Sequence, residues 1–133
     1  PDFTGRRADG GSVQLAELRG KVVLLDFWGI WCAPCRQEVP ELQRLYRDLR
    51  ERGFEILAVN SGDTPRAVSR FIEEQGIEYP VILDDGIVTR YRVHVFPTHV
   101  LVDRQGHIRH RGLGSNLGKV RRLIVDLLEE PLR

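Results

Sequence analysis

Hydrophobic and polar positions along the chain fall into blocks of two periods, one suited to strands and one to helices. Val22 to Phe27 is an almost unbroken apolar run, as expected of a central strand covered on both faces. Ahead of it, residues 3–15 alternate loosely around Ala8-Asp9-Gly10-Gly11, which predicts a small β-hairpin. From about Ala33 to Arg52 the apolar residues Val39, Leu42, Leu45, Tyr46 and Leu49 recur on one helical face. Pro40 should kink that helix, since its ring removes a donor and crowds the preceding turn, and Gly53 should end it. Phe54 to Asn60 is a second strand. Thr64-Pro65 is a helix start, Thr as N-cap and Pro at the first helical position; Ala67, Val68, Phe71 and Ile72 point inward, and Gly76 is the stop. Val81 to Leu83 is a short strand closed by Asp84-Asp85-Gly86. Thr98 to Asp103 and His107 to Gly112 flank Arg104-Gln105-Gly106, a hairpin signal. A last helix from about Asn116 carries Val120, Leu123, Ile124, Leu127 and Leu128 on one face, and Pro131 closes it.

The predicted order is therefore hairpin, βαβ, αβ, hairpin, α. Strands that alternate with helices before a late hairpin imply an α/β fold with a mixed central sheet flanked by helices. No repeat, low-complexity tract or linker interrupts it, so residues 1–133 are expected to form a single domain. The 133 residues suffice for a real core. A formal charge of +1, with both signs mixed along the chain, gives no reason to expect a nucleic-acid partner. The densest basic stretch, Lys119 to Arg122, interrupts an amphipathic pattern and is expected on the wet face of the last helix. No apolar run of about 18 residues exists to span a membrane. The first residue is Pro and the chain has no Met, so a segment upstream (a signal peptide, an anchor or an initiator Met) is expected to have been removed.

Two cysteines exclude a disulfide framework, and both lie in Trp31-Cys32-Ala33-Pro34-Cys35, where the first core strand hands over to a helix. A three-residue spacing on a helical turn brings two sulfurs near bonding distance. A cysteine at a helix N-terminus faces unpaired N–H groups and the positive dipole end, which favour thiolate over thiol. Cys32, before the helix, should be exposed and attack; Cys35, inside the first turn, should be shielded and resolve. Pro34 presets the turn. Asp26 breaks the apolar run of the central strand, so burial is expected; a buried carboxylate is a candidate base for the Cys35 proton, the alternative being a solvated strand-end acid.

The stretch Val23-Leu24-Leu25-Asp26-Phe27-Trp28-Gly29-Ile30-Trp31-Cys32-Ala33-Pro34-Cys35 resembles the active-site strand and loop of the thioredoxin superfamily. The closer likeness is to its extracytoplasmic, TlpA/ResA-like thiol–disulfide oxidoreductases. Asp2-Phe3-Thr4 through Leu18-Arg19-Gly20-Lys21 is similar to that branch's N-terminal hairpin and lead-in. Ala58-Val59-Asn60 through Leu83-Asp84 resembles its extra helix and strand, and Val95-Phe96-Pro97-Thr98 with Leu101-Val102-Asp103 and Gly106 its cis-proline loop and hairpin. The resemblance implies a thioredoxin-like fold with an N-terminal β-hairpin and a central αβ insertion. It makes Cys32 the nucleophile, Cys35 the resolving thiol and Pro97 the cis-proline, against base-rate odds of about 5–6% for a cis X–Pro bond. Trp31, Ala33, Pro34, Phe96 and Pro97 become the substrate-binding positions. Asp26 matches an acid of thioredoxin where many TlpA/ResA-like members carry Asn. Asp63 matches a glutamate near the disulfide in the ResA-like proteins, implying a tuner of thiol pKa; a helix-start residue beside Thr64-Pro65 is the equal alternative.

The resemblance further implies dithiol–disulfide exchange with protein disulfides, an extracytoplasmic location, a reducing role there, commonly in cytochrome c maturation, and an upstream membrane thiol as electron donor. A monomer is expected, with no cofactor and no metal. The rival readings are a general cytoplasmic thioredoxin and a redox-inert binding module. Half a zinc site would need convergent ligands from His94, His99, His107 and His110; these are expected at the surface and without function. Haem attachment needs His after the second cysteine, where Arg36 stands. A structural disulfide over so short a loop would stabilise little, and the Pro and Thr that a peroxiredoxin-like peroxidase needs upstream of its cysteine are absent before Cys32. Trp28 and Trp31 are expected to divide between core and substrate platform.

Overall fold

The computed structural model describes residues 1–114 and 116–131. Along them run β1 (Thr4–Arg7), β2 (Ser12–Gln14), β3 (Val22–Trp28), α1 (Ala33–Leu49), β4 (Phe54–Asn60), α2 (Pro65–Gln75), β5 (Val81–Leu83), α3 (Ile87–Arg90), β6 (Thr98–Val102), β7 (Ile108–Leu113) and α4 (Leu117–Glu129). One mixed sheet takes the order β2-β1-β5-β4-β3-β6-β7. β3, β4 and β5 are parallel neighbours joined by α1 and α2, while β6 returns antiparallel to β3. β3 thus lies at the middle of the sheet, and all seven of its residues are buried, which is why its sequence reads as a continuous apolar run.

Because side chains alternate along a strand, β3 splits its residues between two cores. Val22, Leu24 and Trp28 join Val39, Leu42 and Leu45 of α1, Val68 and Phe71 of α2, and Val120 and Ile124 of α4. Val23, Leu25 and Phe27 pack on the opposite face with Phe3, Ile87, Tyr91 and Val100. Asp26 shares the parity of Leu24 and Trp28 and so points toward the α1 face.

The caps follow the sequence. Thr64 accepts from the Ala67 N–H at 3.1 Å and Pro65 opens α2; Asn116 accepts from the Lys119 N–H at 3.2 Å and opens α4. The first helix stops at Leu49 rather than Arg52: residues 50–52 tighten into a 3₁₀ turn that ends at Gly53, whose φ of 99° suits glycine. Two short elements have no counterpart in the sequence pattern, the 3₁₀ turn Leu15–Leu18 and the single turn α3. Each is too short to show a helical period. Lys119 and Arg122 lie exposed on α4, as the amphipathic pattern requires.

The two-sided core predicts a sharp contrast between leucines. Leu24→Ala, at a fully buried position, should cost about 2–5 kcal/mol in urea denaturation. Leu113→Ala, at a residue 66% exposed, should stay within about 0.5 kcal/mol.

Candidate active site

α1 begins at the carboxyl end of β3, and the turn between them carries the cysteines. Cys32 is the N-cap of α1, in extended backbone, and its Sγ accepts from the Cys35 N–H at 3.3 Å. Pro34 sits in the first turn, where a missing N–H costs nothing. The cysteines form a disulfide with Cα atoms 5.2 Å apart. Against it lies the loop before β6, whose Phe96–Pro97 bond is cis; the Phe96 carbonyl oxygen is 3.6 Å from Cys32 Sγ. In the disulfide this sulfur has no proton to donate, so the contact is an approach rather than a hydrogen bond.

The rest of the turn is held from β4 and its following loop. Asp63 accepts from the Ile30 N–H at 2.8 Å and from Asn60 Nδ2 at 2.9 Å. Arg36 donates to the Ile30 carbonyl. Trp31 Nε1 donates to Ser61 O at 2.8 Å, and its ring meets Phe96 edge-on with centroids 5.2 Å apart. A Cβ on Gly29 would lie 2.1 Å from Trp31 Nε1 and one on Gly62 2.8 Å from it, so two glycines make room for the indole. Trp31 remains 55% exposed, whereas Trp28 is buried against Phe71.

On the α1 side of the sheet lies a second cluster. In the β3–β6 register Asp26 is opposite His99, and the parity of both strands sends these side chains toward α1. Glu38 comes to the same place from the helix, three residues after Cys35 and therefore on its face. His99 Nε2 stands 3.1 Å from Glu38 Oε1, a hydrogen bond, and 3.5 Å from Asp26 Oδ1, an ion-pair contact. All three residues are buried, and Asp26 Oδ1 and Glu38 Oε2 have no hydrogen-bond donor. Burial pushes the Glu38 carboxyl pKa up; the imidazole pulls it back and the Asp26 charge adds to the rise. For His99, burial works against the imidazolium, but the two carboxylates facing Nε2 outweigh it and push the pKa up to about 10. Among the described residues these three bring a set of metal-ligating atoms within 4.8 Å of one another. The His99 Nε2 that bonds Glu38 also faces Asp26, the arrangement of an ion-pair cluster.

A redox disulfide at a helix N-cap, facing a cis-proline loop, is one half of an assignment; likeness to known proteins is the other. The AhpC/TSA family model matches residues 1–111. The chain belongs to the AhpC/TSA family. It is 37% identical over 117 residues to the thiol-disulfide oxidoreductase ResA of Bacillus anthracis, covering 86% of this chain and 68% of that protein. To ResA of Geobacillus kaustophilus (strain HTA426) it is 39% identical over 111 residues, 82% of this chain and 64% of that one. The chain thus spans about two thirds of the length of these relatives. A thiol:disulfide interchange protein of the thioredoxin family from Chlorobium tepidum TLS superposes with a TM-score of 0.88 at 26% identity, over 96% of this chain and 94% of that one. A secreted thiol-disulfide isomerase from Corynebacterium glutamicum gives 0.89 at 28%, over 98% and 85%. The fold is thioredoxin-like and the chain is a thiol–disulfide oxidoreductase of this family, with Cys32 and Cys35 as its redox pair.

The structure gathers most of the residues singled out from sequence and corrects two expectations. Cys32, Cys35, Ala33, Pro34, Trp31, Phe96 and Pro97 meet at one end of the sheet, and Asp26 is buried. Cys32 is not exposed, however: only 6% of it is accessible, against 3% for Cys35, and the Phe96–Pro97 loop lies against its sulfur. The histidines do not all lie at the surface. His99 is 1% exposed, held inside by the two carboxylates. Asp63 anchors the Ile30 N–H and leaves the cap of α2 to Thr64. Glu38 was overlooked, although its place three residues after Cys35 and beside Val39 is a signal of the buried helix face. His99 carried a signal too, since it interrupts an apolar strand as Asp26 does.

If Asp63 acts by holding the turn, Asp63→Ala should speed hydrogen exchange of the Ile30 amide by about tenfold or more, the mark of a lost buried acceptor. Unchanged exchange with a shifted Cys32 titration would mark it as a thiol tuner instead.

Proposed function

We propose that this chain is an extracytoplasmic protein-disulfide reductase, in which Cys32 attacks a substrate disulfide and Cys35 resolves the mixed disulfide. The substrate is a protein segment in extended conformation. Trp31, Val95 and Leu113 are exposed apolar residues around the cis-proline loop: Trp31 touches Phe96, and the strand ending at Leu113 is tied to that loop by the Gly114 N–H to Pro97 carbonyl bond of 3.1 Å. Such a rim suits peptide side chains, while the Phe96 backbone lies beside the sulfur that the peptide must reach.

The observation that carries the direction of electron flow is the buried pair of acids, Asp26 and Glu38, which meet a single imidazole, His99. Two carboxylates face one imidazolium, an acidic excess that works against a Cys32 thiolate. The residues between the cysteines, Ala33 and Pro34, supply no compensating charge. The helix N-terminus and the Cys35 N–H favour the thiolate only modestly, with no side-chain charge between the cysteines to add to them, so the reduced dithiol gives up its electrons readily. Oxidants of this chemistry owe their power to a strongly stabilised reduced form, and this site has no device for it.

The company the chain keeps supports the proposed location. The secreted Corynebacterium neighbour supports an extracytoplasmic place, and among the described residues no helix is long and apolar enough to cross a membrane. In an oxidising compartment a reductase needs a dedicated source of electrons, so an upstream membrane thiol is part of the proposal. Cytochrome c maturation, which keeps haem-attachment cysteines reduced, is the task such a protein would serve. Exchange itself needs no cofactor beyond the Cys32–Cys35 pair, and a monomer suffices for it.

Equilibration in glutathione buffers, read by Trp28 and Trp31 fluorescence, tests the direction. The potential should fall nearer thioredoxin's value of about −270 mV than DsbA's of about −120 mV. A value above about −180 mV, that of protein disulfide isomerase, would make the protein an oxidant or isomerase.

A further inference from the structure

We propose that His99 is a positioning residue for the resolving step: it holds Asp26 and Glu38 together on the α1 side of the sheet and keeps an ionised carboxylate ready to accept the Cys35 proton. The inference rests on the exchange reaction proposed above and extends it to a residue from the opposite side of the central strand pair.

The argument starts from a conflict. Two carboxylates brought together in a buried site cannot both ionise unless a cation offsets them, because like charges at short range raise the pKa of one of the pair. A site with only Asp26 and Glu38 would hold a proton at neutral pH and would be a poor base. One ring nitrogen, His99 Nε2, lies within 3.5 Å of both acids, so a single imidazolium serves both. Glu38 Oε2 has no hydrogen-bond partner, and Asp26 Oδ1 has only the 3.5 Å ion-pair contact with His99 Nε2; these are the acceptors a transferred proton would fill.

The step balances without any further reagent. Cys35 S–H gives its proton to one carboxylate oxygen, and the Cys35 sulfur attacks Cys32 Sγ of the mixed disulfide. The Cys32–Cys35 bond forms, the Cys32–substrate bond breaks, and the substrate sulfur leaves as a thiolate that takes a proton from water. The pair is oxidised by two electrons and the substrate disulfide is reduced by two. The cluster passes from one excess negative charge to neutral while His99 stays protonated.

Other titratable groups face this cluster and set its surroundings. Burial, followed by the Asp26 and Glu38 charges, lifts the Tyr79 phenol well above its ordinary range, so Tyr79 stays neutral and adds no negative charge to the site. Burial lowers the pKa of His110, on β7, and the charges of Lys119 and His99 lower it further, so it stays neutral as well. Among these groups His99 is the one cation in contact with both acids.

The test is single-turnover exchange between reduced protein and a small peptide disulfide, quenched and followed from pH 5 to 9. His99→Gln keeps an N–H donor and removes the charge. It should leave formation of the mixed disulfide within about threefold of wild type, shift the pH midpoint of its resolution upward by about one unit or more, and slow resolution about tenfold at pH 6. A resolution profile that matches wild type overturns the proposal. Should His99→Gln not fold, the imidazole ¹⁵N shifts of the wild-type protein decide: both ring nitrogens should remain protonated at pH 8, and titration near the ordinary histidine value of about 6.5 would overturn it. If wild-type Cys32 forms no mixed disulfide at all, it is the exchange reading that fails, and the ¹⁵N shifts still decide the state of His99.

Discussion

The active end of the molecule depends on where one sulfur sits. Cys32 occupies the N-cap of α1, a place usually taken by Ser, Thr, Asp or Asn because the first helical N–H groups need an acceptor. Here that acceptor is Sγ, bonded by the Cys35 N–H. The same contact that caps the helix also favours negative charge on the sulfur and sets the Cys32 and Cys35 side chains at bonding separation. Capping and reactivity are therefore one interaction, and the surrounding turn serves to hold it. Asp63 fixes Ile30, Arg36 fixes the Ile30 carbonyl, and Trp31 is tied to Ser61 across two glycines.

The sheet supplies what the helix end lacks. Thiolate chemistry needs a place for protons as well as a stabilised sulfur. The antiparallel return of β6 along β3 brings Asp26 and His99 face to face, while the helical repeat after Cys35 brings Glu38 to the same His99 Nε2. Three elements distant in sequence thus converge on the α1 side of the sheet, in the layer that also holds the apolar contacts of α1. A buried ion-pair cluster is a costly feature in a core, which fits a role in chemistry rather than in stability.

Much of this was legible in the sequence, and what was not had a physical reason. The central strand announced itself by its continuous apolar run, the long helices by their periodicity, and α2 and α4 by their capping residues. The Cys-Ala-Pro-Cys turn and Asp26 were legible because local spacing carries their meaning. For His99 and Glu38 the local pattern signals burial at most, because their meeting comes from a strand register and a helix rotation that no local pattern prints. The turn α3, Ile87–Arg90, is barely one helical period and repeats no pattern. The coverage of Cys32 depends on a loop more than sixty residues away, which the local spacing around a cysteine ahead of a helix does not encode.

Brief alkylation of the fully reduced protein at neutral pH, followed by mass spectrometry of the two cysteine peptides, tests the central claim most directly, because it reads the two sulfurs separately. Cys32, the helix cap, should be labelled about tenfold or more faster than Cys35, which should react only when the chain is unfolded. Equal labelling, or preferential labelling of Cys35, would contradict the assignment of Cys32 as the attacking sulfur.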